Sequence, residues 1–277
     1  PPGETGRAAR LPAAMAEPPA KKARTEEAED AEEPAEGEAP AEEAEEAEEA
    51  PEAPVAEQEE DAKPDKAPKI KDKVAFHTKD TTMNVMQSEV GNLLMPLMDG
   101  GLHYFLAGAR ASVGVKSGRY VFEVKVIEVM DPAEDATARG KAKPQIRIGL
   151  ATASSSLFLG DSEESICFDM EGAVMHHKLK RQGGAKFGSG DVLALVLNLD
   201  ASSPNAGTVS IFKNGVRACQ PQALPASLKG KALHPALSFR GATLHYNFSA
   251  VLSKPLPFSC RCLAEAAAKD VVVQPAT

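Results

Sequence analysis

Between residues 73 and 258 the apolar positions fall in short runs broken by Gly, Pro, Asn and Asp, the spacing of an all-β chain. Tyr120, Phe122, Val124 and Val126 alternate with Val121, Glu123, Lys125 and Ile127, so one face of this segment is apolar throughout and the other is mixed. Leu244, Tyr246 and Phe248 alternate in the same way with Thr243, His245 and Asn247, which predicts a half-buried antiparallel strand. Residues 192–197 (VLALVL) show no alternation and follow the turn Gly188-Ser189-Gly190-Asp191. They are too few for a helix and predict a strand covered on both faces. Val209-Ser210-Ile211-Phe212 runs into Lys213-Asn214-Gly215-Val216, where Asn-Gly supplies the two positive φ values of a type I′ hairpin. Helical composition is confined to residues 263–269 (LAEAAAK), expected as a short terminal helix outside the core.

Charge divides the chain in two. Residues 26–61 hold 19 of the 40 carboxylates and no Lys or Arg, whereas residues 63–277 carry 26 basic against 19 acidic side chains. The overall charge of -9 therefore belongs to the arm and not to the β-rich part. With almost nothing larger than Ala to bury, the acidic run cannot offset its ordering entropy. Its Glu pairs repel at helical spacing, and Pro34, Pro40, Pro51 and Pro54 interrupt it, so a disordered acidic arm is expected. The Lys/Pro segment 63–73 reads as a semi-extended linker, long enough to let the arm reach back across the fold.

Met15-Ala16-Glu17 has the look of a start, which would make residues 1–14 an upstream leader. Behind it, Lys21, Lys22 and Arg24 form a proline-preceded basic cluster of the kind read by nuclear import receptors, so a nuclear location is expected. No apolar run reaches membrane-spanning length and the first 24 residues lack the apolar stretch of a signal peptide, so no membrane association is expected. Cys167, Cys219, Cys260 and Cys262 read as reduced structural thiols, because the C-x-C pair lacks metal half-site spacing. The layout is thus a leader over 1–14, an arm and linker over 15–72, a β domain over 73–262 and a tail over 263–277.

Within the β region, Arg110-Ala111-Ser112-Val113-Gly114-Val115 followed by Gly118-Arg119-Tyr120-Val121-Phe122-Glu123-Val124 resembles the opening of a SPRY domain. Further blocks follow in family order: Arg147-Ile148-Gly149-Leu150, Gly190-Asp191-Val192 to Asn198-Leu199-Asp200, Ile211-Phe212-Lys213-Asn214-Gly215, His234-Pro235-Ala236-Leu237-Ser238 and Tyr246-Asn247-Phe248. The segments flanking them, Lys73-Val74-Ala75-Phe76 and Lys254-Pro255-Leu256-Pro257-Phe258, are most similar to the SPRY region of the heterogeneous nuclear ribonucleoprotein U group. One departure is Leu150, where SPRY domains commonly place a Trp. The resemblance implies an antiparallel β-sandwich with loops that bind partner proteins or peptides at one end. It also implies that Arg110 and Arg147 contribute to a pocket for acidic partner segments, the alternative being ordinary arginines in salt bridges.

No catalytic or metal-binding pattern stands out, and no cofactor is expected. Residues 108–117 fail as a phosphate-binding loop, because the glycine interval is one residue too long and Gly118 leads into a strand. Ser154-Ser155-Ser156 and Ser202-Ser203 lack a nucleophile-elbow pattern. His176 and His177 would face opposite sides of a strand and cannot hold one metal together; with Lys178, Lys180 and Arg181 they read as a basic exposed loop. A second basic loop contains Arg139, Lys141 and Lys143. The expected function is that of a non-enzymatic nuclear adaptor binding proteins or peptides, with an RNA-associated ribonucleoprotein component, using these basic loops, as the alternative.

Overall fold

The computed structural model describes residues 57, 59–63, 66–88, 90–130 and 142–274. Lys21, Lys22, Arg24, Arg139 and Lys141 lie outside the described residues, as does most of the acidic run.

Two antiparallel sheets pack face to face. The first runs in the order Phe76–Thr81, Ala107–Ala111, His234–Arg240, Gln145–Ala151, Ser165–Asp169, Ala173–His176 and Leu179–Gln182. The second runs Val216–Arg217, Thr208–Lys213, Val192–Leu199, Gly118–Val129, Ala242–Asn247, Leu93–Pro96 and Val85–Ser88. At its far end the long Gly118–Val129 strand also pairs in parallel with Arg261–Cys262. A third, two-stranded sheet joins Val113–Val115 to Val271–Val273.

The period-2 patterns account for the core. Tyr120, Phe122, Val124, Val126, Leu244 and Tyr246 from the second sheet meet Ala109, Ile146, Ile148, Leu150 and Leu237 from the first in one buried cluster. Leu150 is therefore a core residue of the inner layer. In the Val192–Leu199 strand, Leu193, Leu195 and Leu197 face this core. Ala194 and Val196 face the other way, into a second cluster with Val121, Phe212, Phe258 and Cys262. The strand is covered on both faces because the chain around Phe258 folds back over the sheet. Glu123 fixes that return: it is buried within the sheet and accepts hydrogen bonds from the backbone N–H groups of Ser253 (2.6 Å) and Lys254 (3.1 Å) and from Asn247 Nδ2 (2.9 Å). The predicted hairpin forms at Asn214 (φ 54°) and Gly215 (φ 87°).

Residues 263–269 differ from expectation. They make two short 3-10 turns, Leu263–Glu265 and Ala268–Asp270, with Leu263, Ala266 and Ala267 buried. Tertiary partners override the helical propensity of this alanine run. Ala266 O accepts from Ile70 N (2.9 Å), Ala268 N donates to Pro68 O (2.8 Å) and Ala267 N donates to Tyr120 Oη (3.0 Å). Alanine serves here by allowing close backbone approach, and Leu263 and Ala266 join the core.

Candidate partner-binding surface

Arg110 and Arg147 both project from the outer face of the first sheet, on strands that flank His234–Arg240; Ala236 registers with Arg110 and Ser238 with Arg147. The inward positions of the same strands are apolar, which is why the two guanidinium groups end up on one side. Neither is an open cation. Arg110 is 5% exposed and forms a fork with Asp80, Nε to Oδ2 at 2.8 Å and Nη2 to Oδ1 at 2.7 Å. Its Nη1 donates to Thr152 O (2.7 Å), Ser155 O (2.8 Å) and Ser155 Oγ (3.0 Å). Arg147 Nη1 donates to Leu159 O (2.6 Å) and Asp161 Oδ1 (2.9 Å). With the Gln145 amide turned so that its oxygen faces the guanidinium, that oxygen accepts from Arg147 Nη2 and Nε.

Both arginines therefore hold the same loop, residues 152–161, against the sheet. Between them Ser238 Oγ donates to Leu157 O (2.7 Å) and accepts from Leu159 N (2.9 Å). Leu159 is buried beneath the loop with Ala151, Cys167, Met175 and Ala236. Gly108 lets the loop lie flat: a Cβ there would stand 2.6 Å from Leu157 O. Leu157 O, Leu159 O and two further loop carbonyls thus find donors, which gives a long surface segment the bonding of a regular element.

This loop exposes Ala153, Ser154, Ser156 and one large apolar side chain. Phe158, flanked by the two pinned leucines, is 39% exposed. Around Gly108, which exchanges hydrogen bonds with Thr82, the neighbouring chain displays Met83 and Phe105, 90% and 63% exposed. Arg240 ties the next segment in, donating from Nη1 to Tyr104 O (2.9 Å) and from Nε to Lys143 O (3.0 Å), with Lys143 exposed. Sequence patterning missed Phe105 and Phe158 because each lies outside the alternating runs.

The basic segment from His176 to Arg181 is a hairpin and not a loop. Ala173–His176 pairs with Leu179–Gln182 through the two-residue turn His177-Lys178, whose φ values are 49° and 62°. His177, Lys178 and Arg181 are exposed, His176 Nδ1 lies 2.9 Å from Ser165 O, and Lys180 pairs with Asp169 at 2.7 Å. The turn docks on the pinned loop, with Lys178 N donating to Gly160 O at 2.7 Å.

Among the described residues, these two sheets, with the block order read from the sequence and inner and outer faces as described, form a β-sandwich of the SPRY type, with almost no helix. No family model matches the chain. It is similar to human heterogeneous nuclear ribonucleoprotein U-like protein 2, 27% identical over 157 residues, covering 57% of this chain and 20% of that protein. It is also similar to the ATP-dependent RNA helicase DDX1 of Xenopus laevis, 26% identical over 141 residues, covering 51% of this chain and 16% of the helicase. The chain thus spans about a fifth or less of the length of these relatives. Among solved structures, the SPRY domain of human HERC1 covers 62% of this chain with a TM-score of 0.46 and 18% identity.

Proposed function

We propose that the chain is a nuclear adaptor, without enzymatic activity, that binds a partner protein on the outer face of the first sheet. The observation that carries this reading is a loop pinned by two buried arginines and a serine that nonetheless holds Phe158 in solvent, with Phe105 and Met83, exposed on the segments next to the Gly108–Thr82 hydrogen bonds, as further apolar side chains. A preorganised loop loses little entropy on binding, and exposed aromatic side chains on such a scaffold supply the anchors. Arg110 and Arg147 act here as positioning residues, because their donors are committed to Asp80, Asp161 and the loop. The partner segment this surface fits carries apolar anchor side chains.

The test is capture of partners by the full chain and by Phe105→Ser and Phe158→Ser variants. Loss of the same partners from both variants, at unchanged melting temperature, supports the reading; retention by both overturns it. Nuclear location rests on Lys21, Lys22 and Arg24, and neutralising them should leave a large fluorescent fusion in the cytoplasm. The exposed cations of the Ala173–His176 hairpin region, Lys178 and Arg181, are what an RNA-binding reading would use. Saturable RNA binding by the full chain that weakens steeply with salt would favour that reading instead.

A further inference from the structure

A second row of buried polar groups crosses the outer face of the other sheet. Arg119, Asn198, Ser210 and Arg217 sit on four adjacent strands, and the registers Asn198↔Arg119 and Phe212↔Arg217 place them on the same side as the Phe212 and Val121 cluster. The fold itself sets the cations in place. Arg217 stacks on the Phe212 ring at 4.7 Å and donates from Nη1 to Ser210 Oγ (3.1 Å). Arg119 lies over the Phe258 ring at 5.4 Å. Each aromatic face supports a guanidinium whose fork stays available to carboxylates.

The carboxylates come from the end of the acidic arm. Glu57 takes Arg217 through both oxygens, Oε1 from Nη2 at 2.5 Å and Oε2 from Nε at 3.4 Å. Glu59 Oε2 accepts from Arg119 Nη1 (2.8 Å) and Asn198 Nδ2 (2.9 Å), with the Glu59 side chain fully buried. Glu60 O accepts from Arg119 Nη2. Asp61 Oδ1 accepts from Ser259 N (2.7 Å) and Oγ (2.9 Å), and Ala62 N returns a bond to Ser259 O (2.9 Å).

Two properties make this a recognition site and not simply a fixed strap. First, the segment EQEED brings no apolar side chain to the sheet, so its attachment rests on charge and hydrogen bonds alone. The fit is also incomplete, since Glu59 Oε1 is buried without a hydrogen-bond partner among the described residues. Second, the pattern Glu-x-Glu-Glu of residues 57–60 recurs in the arm at 43–46 and 46–49, so the resident segment is one of several chemically equivalent ligands. Without an acidic occupant, Arg119 and Arg217 would lose their carboxylate partners Glu59 and Glu57. The row therefore demands an acidic peptide but does not dictate which one.

We infer that the row Arg119, Asn198, Ser210 and Arg217 is a binding site for extended acidic peptides of the Glu-x-Glu-Glu type, occupied in cis by residues 57–61 and open to an acidic segment of a partner protein. Tethering holds the arm at a high effective concentration, of order mM for a short linker. An incoming peptide must therefore outcompete it, and the arm sets the threshold for engagement. The site lies on the opposite sheet from the apolar loop surface and stands independently of the function proposed for that surface.

The experiment compares the full chain with a full-length variant in which the 19 carboxylates of residues 26–61 are replaced by their amides. The probe is a fluorescein-labelled peptide with the sequence of residues 55–63, titrated by anisotropy at low salt. The neutralised chain should bind it saturably and at least tenfold more tightly than the unaltered chain. Raising the salt should weaken that binding, and adding Arg217→Ala to the neutralised chain should weaken it at least tenfold. Equal affinities for the two chains, or no effect of Arg217→Ala, would overturn the inference. Should the neutralised chain fail to fold alone, excess peptide should restore a cooperative melting transition. Failure to restore it would count equally against the proposal.

Discussion

Arg110 distinguishes most sharply between a structural and a ligand-binding role for the arginines of the first sheet. Replacing it with Met keeps the stem and removes five hydrogen bonds, two to Asp80 and three to Thr152 and Ser155. The Arg110 and Asp80 side chains are 6% and 18% exposed, so the orphaned carboxylate regains only part of its hydration. Breaking a buried pair from one side costs about 3–5 kcal/mol, and the partial exposure of Asp80 places this case near the lower end, at about 3 kcal/mol. For a domain of this size that corresponds to a fall in melting temperature of roughly 6–12 °C. Equilibrium denaturation gives the free energy, and native-state hydrogen exchange should show faster exchange of amides in residues 152–161. Adding Asp80→Leu should recover part of the loss, because the unpaired carboxylate goes with it. A loss below about 1 kcal/mol with loop protection unchanged, which is the range of an exposed salt bridge, would refute the pinning argument and return Arg110 to the role of a ligand contact.

Three further outcomes follow from the same geometry. Gly108→Ala should lift the loop, since the new Cβ would meet Leu157 O at 2.6 Å and Leu157 Cβ at 2.8 Å; partner binding should fall more than stability, and equal binding would show that the loop tolerates displacement. Burial pushes the thiols of Cys167 and Cys260 up to about 12 and that of Cys262 to about 11, so a thiol reagent at pH 8 should label the native chain slowly, with the half-buried Cys260 first. Rapid labelling of all four without denaturant would contradict the packed core. Burial also holds His234 below its usual value of 6.5, with Arg110 adding to the effect and the Ala111 carbonyl and Asp80 opposing it. The unfolded chain then takes up the proton first, so stability is full above pH 6.5 and is lost as pH falls toward the depressed folded value. His234→Gln should flatten the decline in melting temperature between pH 7 and 5; an identical slope would remove His234 from the account.

The alternation along Gly118–Val129 and Ala242–Asn247, the unbroken run in Val192–Leu199 and the Asn214-Gly215 turn were all legible in the chain, and with them the two-sheet architecture. These are local signals: side-chain direction repeats every two residues, and a turn depends on the φ preferences of the residues within it. The same locality explains the misreading of residues 263–269, where intrinsic preference pointed to a helix and the backbone of Pro68 and Ile70 together with the Tyr120 hydroxyl imposed two 3-10 turns. Arg110 and Arg147 could be picked out as a pair, but their partners could not, because the Arg110 contacts lie 30 to 45 residues away.

The charge asymmetry between arm and domain was equally plain, and so was the reach of the linker. Where the arm settles was not. Arg119 meets a carboxylate 60 residues distant and Arg217 one 160 residues distant, across the outer face of a sheet. Composition states that opposite charges are present in one chain. Only the tertiary structure lines up Arg119, Asn198, Ser210 and Arg217 across four strands, because strand order and register, and not sequence neighbourhood, decide which side chains share a face.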